Sequence, residues 1–254
     1  MTHSKRTSTI FPLFVVIICL ALSVTLADLF SSVLTVGLFS SDSKTNQSFE
    51  IYAVSLLNTQ VKTEANEFAK TVQTQGGSGY VWMNGNSYHV FASAYEQEND
   101  ATLVRDNLLA QSVSSETIKL TFLNPNFKEE YSNEEMAELG RATTIYKTTF
   151  KKLYDVSVSL DTALLNETQA KLEVGKLLSE ITKGRSDFET LFSAKKNSET
   201  VCIGVKYKDL LSCVQKLSDG EKLSEFQTYS SLVKWTYVKA LSIYSELANE
   251  LAVK

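Results

Sequence analysis

Two segments of the chain repeat each other at a constant offset of 36 residues. Tyr52-Ala53-Val54 recurs as Tyr88-His89-Val90, Glu64-Ala65 as Asp100-Ala101, Phe68 as Val104, Val72 as Leu108 and Gln75 as Gln111. The match carries strand-like and helix-like positions together without a gap, so it predicts two copies of one strand-helix unit. The repeated stretch needs only about Phe49 to Thr121 of the 254 residues, and a second folded unit is expected after Pro125.

Within the repeat, Ile51 to Leu56 reads as a strand. Tyr52, Val54 and Leu56 share one face; Ile51, Ala53 and Ser55 share the other. A helix follows from about Thr63, its stripe made by Ala65, Phe68, Ala69 and Val72, and Gly76-Gly77 stops it with a left-handed cap. Tyr80 to Met83 is the second strand and Asn84-Gly85 signals a tight hairpin turn. In the third strand, Ser87 to Tyr95, Tyr88, Val90 and Ala92 oppose Ser87, His89 and Phe91. Asn99 is the expected N-cap of a second helix reaching about Gln111, buried through Ala101, Val104 and Leu108, and Thr117 to Thr121 is the fourth strand. The order β-α-β-β-α-β predicts an α+β, ferredoxin-like unit: an antiparallel four-stranded sheet with both helices on one face and the other face open.

The stretch 50–123 resembles the SPOR (sporulation-related repeat) domain family. The resemblance rests on Tyr52-x-Val54, Glu64-Ala65-x-x-Phe68-Ala69 and Tyr88-His89-Val90-x-x-Ser93-x-Tyr95. It implies a domain that binds peptidoglycan, notably glycan strands stripped of stem peptides, in an anchored bacterial envelope protein of division or sporulation. Ser55 and Leu57 stand where the family typically has Gln and Gly, and His89 stands where Arg is usual. On the expected open face, Phe91 and Trp82 would stack on sugar rings while Ser55, Ser87 and His89 meet hydroxyls. These five are the candidate ligand-binding residues. The alternative is that Phe91 and Trp82 cover the sheet edge or pack on the neighbouring domain, and that His89 is an ordinary half-exposed strand residue.

Ahead of the repeat, Lys5 and Arg6 precede Ile10 to Ala27, eighteen residues without a charge, and apolar character resumes to Phe39. A span needs about 17 to 25 residues, and the cationic end stays inside. The expected layout is a cytoplasmic tail (1–9), an uncleaved transmembrane signal anchor (10–39) and a linker (40–49), with everything after it extracytoplasmic. A cleaved signal with processing after Ala27 is the competing reading; the apolar core is longer than the roughly 7 to 15 residues such peptides use.

After a second linker (124–131), no Pro occurs from Asn126 to Lys254. Ser132-Asn133-Glu134-Glu135 and Asn166-Glu167-Thr168-Gln169 are capping-box starts. Apolar residues then recur at 3-4 spacing: Met136, Leu139, Tyr146, Phe150, Leu153 and Leu160 in one helix, Val174 to Phe192 in the next. A third stripe runs from Ile203 to Leu217, and a fourth from Leu223 to Leu251 in a helix expected over Glu221 to Val253. Short polar breaks predict an all-α antiparallel bundle over 132–254, with an intermolecular coiled coil as the alternative.

The inventory for chemistry is poor. His3 and His89 are the only histidines, so no histidine cluster for a metal exists, and there is no glycine-rich phosphate loop. No catalytic residue, cofactor or metal is expected. Cys202 and Cys213, eleven residues apart on one helix, would lie roughly 16 Å apart, too far to bridge. The window from Glu50 to Leu123 holds Lys62, Lys70, Arg105 and Lys119 against eight Asp and Glu, a net charge of -4, which argues against nucleic acid as partner. Two functions stay open: an envelope protein whose SPOR-like domain binds glycan strands while the bundle engages an unknown protein, or a non-catalytic scaffold that has lost glycan binding.

Overall fold

The computed structural model describes residues 48–221 and 223–252. The expected anchor and most of the first linker lie outside them; among the described residues, no helix is long and apolar enough to cross a membrane. The described part is α+β, with one four-stranded antiparallel sheet and six α-helices.

The sheet unit follows the order read from the repeat: β1 (Phe49–Thr59), α1 (Lys62–Thr74), β2 (Tyr80–Asn84), β3 (Ser87–Tyr95), α2 (Glu98–Ala110) and β4 (Glu116–Phe122). The strands lie in the order β2-β3-β1-β4, so the first strand of each copy is central and its last strand is an edge. Tyr52 pairs with Tyr95 and Val54 with Ser93; the register then shifts on both sides of Ser55, which pairs with Phe91. Val54 and Val90 are fully buried under α1 and α2, which contribute the expected Ala65, Ala69, Val72, Ala101, Val104 and Leu108.

The repeat persists into the helix ends. Gly77 N–H donates to the Val72 carbonyl and Gly76 N–H to that of Gln73, a Schellman motif with Gly76 at φ 90°. At the same offset, Val113 N–H donates to Leu108 and Ser112 N–H to Leu109, with Ser112 forced to φ 63°. Two expectations shift. The hairpin loop is Gly85-Asn86, one residue later than Asn84-Gly85, because Asn84 pairs with Ser87 and Gly85 takes φ 58°. The N-cap of α2 is Gln97, without a side-chain bond, and Asn99 falls inside the helix.

The bundle comprises α3 (Asn133–Asp161), α4 (Glu167–Leu191), α5 (Ser198–Ser218) and α6 (Tyr229–Ala252). Both expected capping boxes form, Ser132 with Glu135 and Asn166 with Gln169. The fourth helix starts later than expected, after a 3₁₀ turn at Leu223–Glu225. The stripe residues Leu139, Tyr146, Phe150, Leu153, Ile203, Leu210 and Leu247 are at most 1 % exposed where the helices meet, whereas Met136 points outward at 45 %. The stretch between β4 and α3 is tied down: Glu199 accepts from Lys128 N–H and from Tyr131 Oη, both at 2.9 Å.

The largest departure concerns the second face of the sheet, which is covered. Ile51, Ala53, Tyr80, Phe91, Leu120 and Phe122 share one continuous core with the bundle, and α6 is the helix that lies on them. Sixteen of the 24 residues of α6 are buried, including Leu232, Val238, Leu241 and Ile243 off its 3-4 stripe. One side meets the other helices and another meets the sheet, giving three layers: α1 and α2, the sheet, the bundle.

Candidate functional site

The sheet face beneath α6 holds most of the residues that the resemblance nominates. Small Ala53 is fully buried at the centre of β1, between Ala94 of β3 and Ile118 of β4. Trp82 stacks on Phe91, with ring centroids 5.9 Å apart, and meets the edge of Phe122 at 6.2 Å. Phe122 stacks on Phe49 at 4.8 Å, and Tyr244 of α6 closes over Phe49 at 5.3 Å. On the β2 side, Tyr80 faces Trp235 of α6 at 5.7 Å. Offset and edge-on pairs at these separations are favourable beyond the area they bury.

Two deeply buried polar contacts help to fix this interface. Ser93 Oγ and Tyr237 Oη lie 2.6 Å apart, fully buried between β3 and α6, and burial pushes the Tyr237 hydroxyl well above its usual pKa. At the second point, Lys234 Nζ of α6 lies 2.7 Å from Asp161 Oδ2, the last residue of α3, and donates to the Gly76 carbonyl at 3.5 Å. Neither α1 nor α3 has a basic residue in its last turn, so Lys234 supplies the positive charge that both helix C-termini favour. Ser230 Oγ donates to the other Asp161 oxygen at 2.6 Å.

The five candidate residues separate into two environments. Ser55, His89 and Phe91 are buried at 1 %, 5 % and 0 % exposure, and Trp82 is half-buried beside them. Ser87 is half-buried at the hairpin, away from the aromatic layer. Phe91 therefore spends its ring on protein, Trp82 stacks on it, and no sugar ring can stack on Phe91 in this arrangement.

His89 gains two partners that no motif announced. Ser55 Oγ lies 3.4 Å from His89 Nδ1, and Glu116 Oε1 lies 3.4 Å from the same nitrogen. Ser55 donates its own proton to the Leu57 carbonyl at 3.0 Å, so an Nδ1–H directed between Ser55 and Glu116 satisfies all three groups. A nucleophilic triad needs the hydroxyl on one ring nitrogen and the carboxylate on the other. Here both fall on one nitrogen, and the serine faces the protein interior. The arrangement is that of a buried histidine satisfied where β1, β3 and β4 meet, and its partner Glu116 was legible only as an acidic residue at a strand start.

Cys202 and Cys213 are buried thiols rather than halves of a bridge, and burial pushes the Cys213 thiol up to about 12. Among the described residues, no group of three or more His, Cys, Asp or Glu side chains could hold a metal ion. Compared with models of known families, with characterised proteins and with solved structures, the chain finds no match in any of the three.

Proposed function

We propose that this chain is a membrane-anchored, extracytoplasmic scaffold of the bacterial envelope, non-catalytic, in which a SPOR-like sheet unit has exchanged glycan binding for a permanent dock with its own bundle. The observation that carries this reading is the burial of Phe91 and its neighbours under α6. Ile51, Phe91, Leu120 and Phe122 are each 7 % exposed or less. At ~1.5–3 kcal/mol for each fully buried apolar side chain, uncovering the four would cost up to about 6–12 kcal/mol. That is comparable with the whole stability of a typical domain, ~5–15 kcal/mol. A glycan strand competing for this face would have to repay that cost before making its first favourable contact. Ser55 and His89, at positions where the family has Gln and Arg, are committed to one another and to Glu116. The scaffold then acts through its remaining surface, the outer helices of the bundle, on a protein partner.

The test is co-sedimentation of the exported part, residues 48–254, with purified sacculi, both intact and stripped of stem peptides. The scaffold reading expects no retention on either preparation. Saturable retention on stripped sacculi would overturn it and restore the glycan-binding reading.

A further inference from the structure

From Thr71 to Tyr95 there is no Asp, Glu, Lys or Arg, twenty-five residues in a chain that is 21 % charged. The middle of that stretch is the β2–β3 hairpin, and its end is open. Met83 is 67 % exposed and pairs with half-buried Tyr88, which pairs in turn with Thr59 of β1; Val61, just beyond, is 52 % exposed. Asn84, Gly85 and Asn86 of the turn are exposed as well. The charges that follow Val61 in α1, Lys62 and Glu64, are of opposite sign. The hairpin also lies near the point where the fold begins. Trp82, the neighbour of Met83, meets Phe122 at 6.2 Å, and Phe122 stacks at 4.8 Å on Phe49, the first residue of β1. Only Ser40 to Gln47 separates the apolar run that reaches Phe39 from the described fold, eight residues that can span at most about 30 Å.

We infer that the β2–β3 hairpin is a lipid contact, its tip resting in the interfacial layer of the bilayer from which the chain emerges. The inference rests on the anchored reading of residues 10–39. Burying Met83 and Val61 is favourable in proportion to the apolar area removed from water, and a charge carried into that layer would oppose it. Tyrosine favours the boundary between hydrocarbon and water, and the amides of the turn are left among the headgroups. A tip this small would hold a free protein to a bilayer only marginally. The anchor removes that difficulty, because it keeps the tip at a high effective concentration beside the surface. The contact fixes which side of the scaffold faces the membrane.

For the test, the full chain is reconstituted in phosphatidylcholine vesicles, with and without lipid brominated near the headgroup end of its acyl chains. The chain has two tryptophans, Trp82 and Trp235, and Trp235 packs between Tyr80 and Phe226. Bromine should quench the emission of the wild type, and the quenching should be lost in Trp82→Phe, where only Trp235 emits. Met83→Asp, at an exposed position where the melting temperature should not change, should lose it as well. Raising the salt to about 0.5 M should leave the quenching as it is, since no ion pair holds the tip. Quenching that persists in Trp82→Phe or in Met83→Asp, or that salt abolishes, overturns the inference. An alkaline carbonate wash reads the anchor separately. A chain that stays with the vesicles without any quenching overturns the hairpin contact alone; a chain that is washed off overturns the anchored reading and the inference with it.

Discussion

Replacing Lys234 with Met tests whether the contact between sheet unit and bundle is a specified joint or a general apolar adhesion. The Lys234 side chain is 4 % exposed and its Asp161 partner 17 %, with 2.7 Å between Nζ and Oδ2. Removing one member of a buried pair typically costs ~3–5 kcal/mol, because the other is left charged and unpaired. Asp161 keeps its bond from Ser230 at 2.6 Å and some contact with water, which reduces the penalty to about 2–4 kcal/mol. For a folded unit of this size each kcal/mol lowers the melting temperature by ~2–4 °C, so Lys234→Met should melt roughly 5–15 °C lower. Urea denaturation followed by circular dichroism gives the free energy directly. Asp161→Asn should cost a similar amount, since it leaves the more deeply buried ammonium unpaired. The double variant should recover about 1–3 kcal/mol of the summed loss, as expected for residues in direct contact. A Lys234→Met loss below about 0.5 kcal/mol, or strict additivity in the double variant, would refute the account of a charged joint serving two helix ends.

Three further outcomes follow from local geometry. Ser112 holds the left-handed position that Gly76 occupies in the first copy, and a non-glycine residue there pays ~1–2 kcal/mol, partly offset by the entropy a glycine loses on folding. Ser112→Gly should therefore stabilise by about 0.5–1 kcal/mol in urea melts, and a destabilisation would mean that the serine side chain matters. The Ser132 backbone N–H and Lys195 hold the Glu135 carboxyl below its usual pKa of 4.5. Its contribution is then complete above that value and lost as the pH falls through the depressed folded one. The melting-temperature gap between wild type and Glu135→Gln should be present at pH 7 and close toward pH 3; a gap constant with pH would contradict this. With its pKa pushed up to about 12, the Cys213 thiol should resist iodoacetamide at pH 8 in the native protein and react on unfolding. Peptide mapping that finds rapid native labelling at Cys213 would show the site to be accessible.

Much of the local structure was legible because short-range physics decides it. The alternation assigned Ile51 to Val54 of β1 and Tyr88, Val90 and Phe91 of β3 to the faces they occupy, because successive side chains of a regular strand point to opposite sides; past the irregularity at Ser55 it lapses, and Leu56 and Leu57 both pack under α1. The capping boxes at Ser132 and Asn166 lie where their reciprocal bonds require. The misplacements are small and local: the turn at Gly85-Asn86, the helix start at Gln97, the late start of α6. The candidate site was legible in composition and not in environment. Ser55, Trp82, His89 and Phe91 do share a face, yet nothing in β3 says whether Phe91 looks at water, sugar or a helix. One signal was available. Leu232, Val238, Leu241 and Ile243 make α6 apolar beyond a single stripe, and a helix apolar on several sides must be covered on several sides.

The duplication, the strand-helix order, the helix caps and the stripes of the bundle were determined by the sequence alone, because each depends on residues within one turn, one strand or one repeat. Only the tertiary structure decided that the second face of the sheet is an interior. An apolar face specifies that it must be buried, but its partner here lies far along the chain, 144 residues away in the contact of Ser93 with Tyr237. That choice depends on the fit of two surfaces, which no periodicity encodes. It places Phe91 and Trp82, which look like a sugar platform, in the seam between two halves of one molecule.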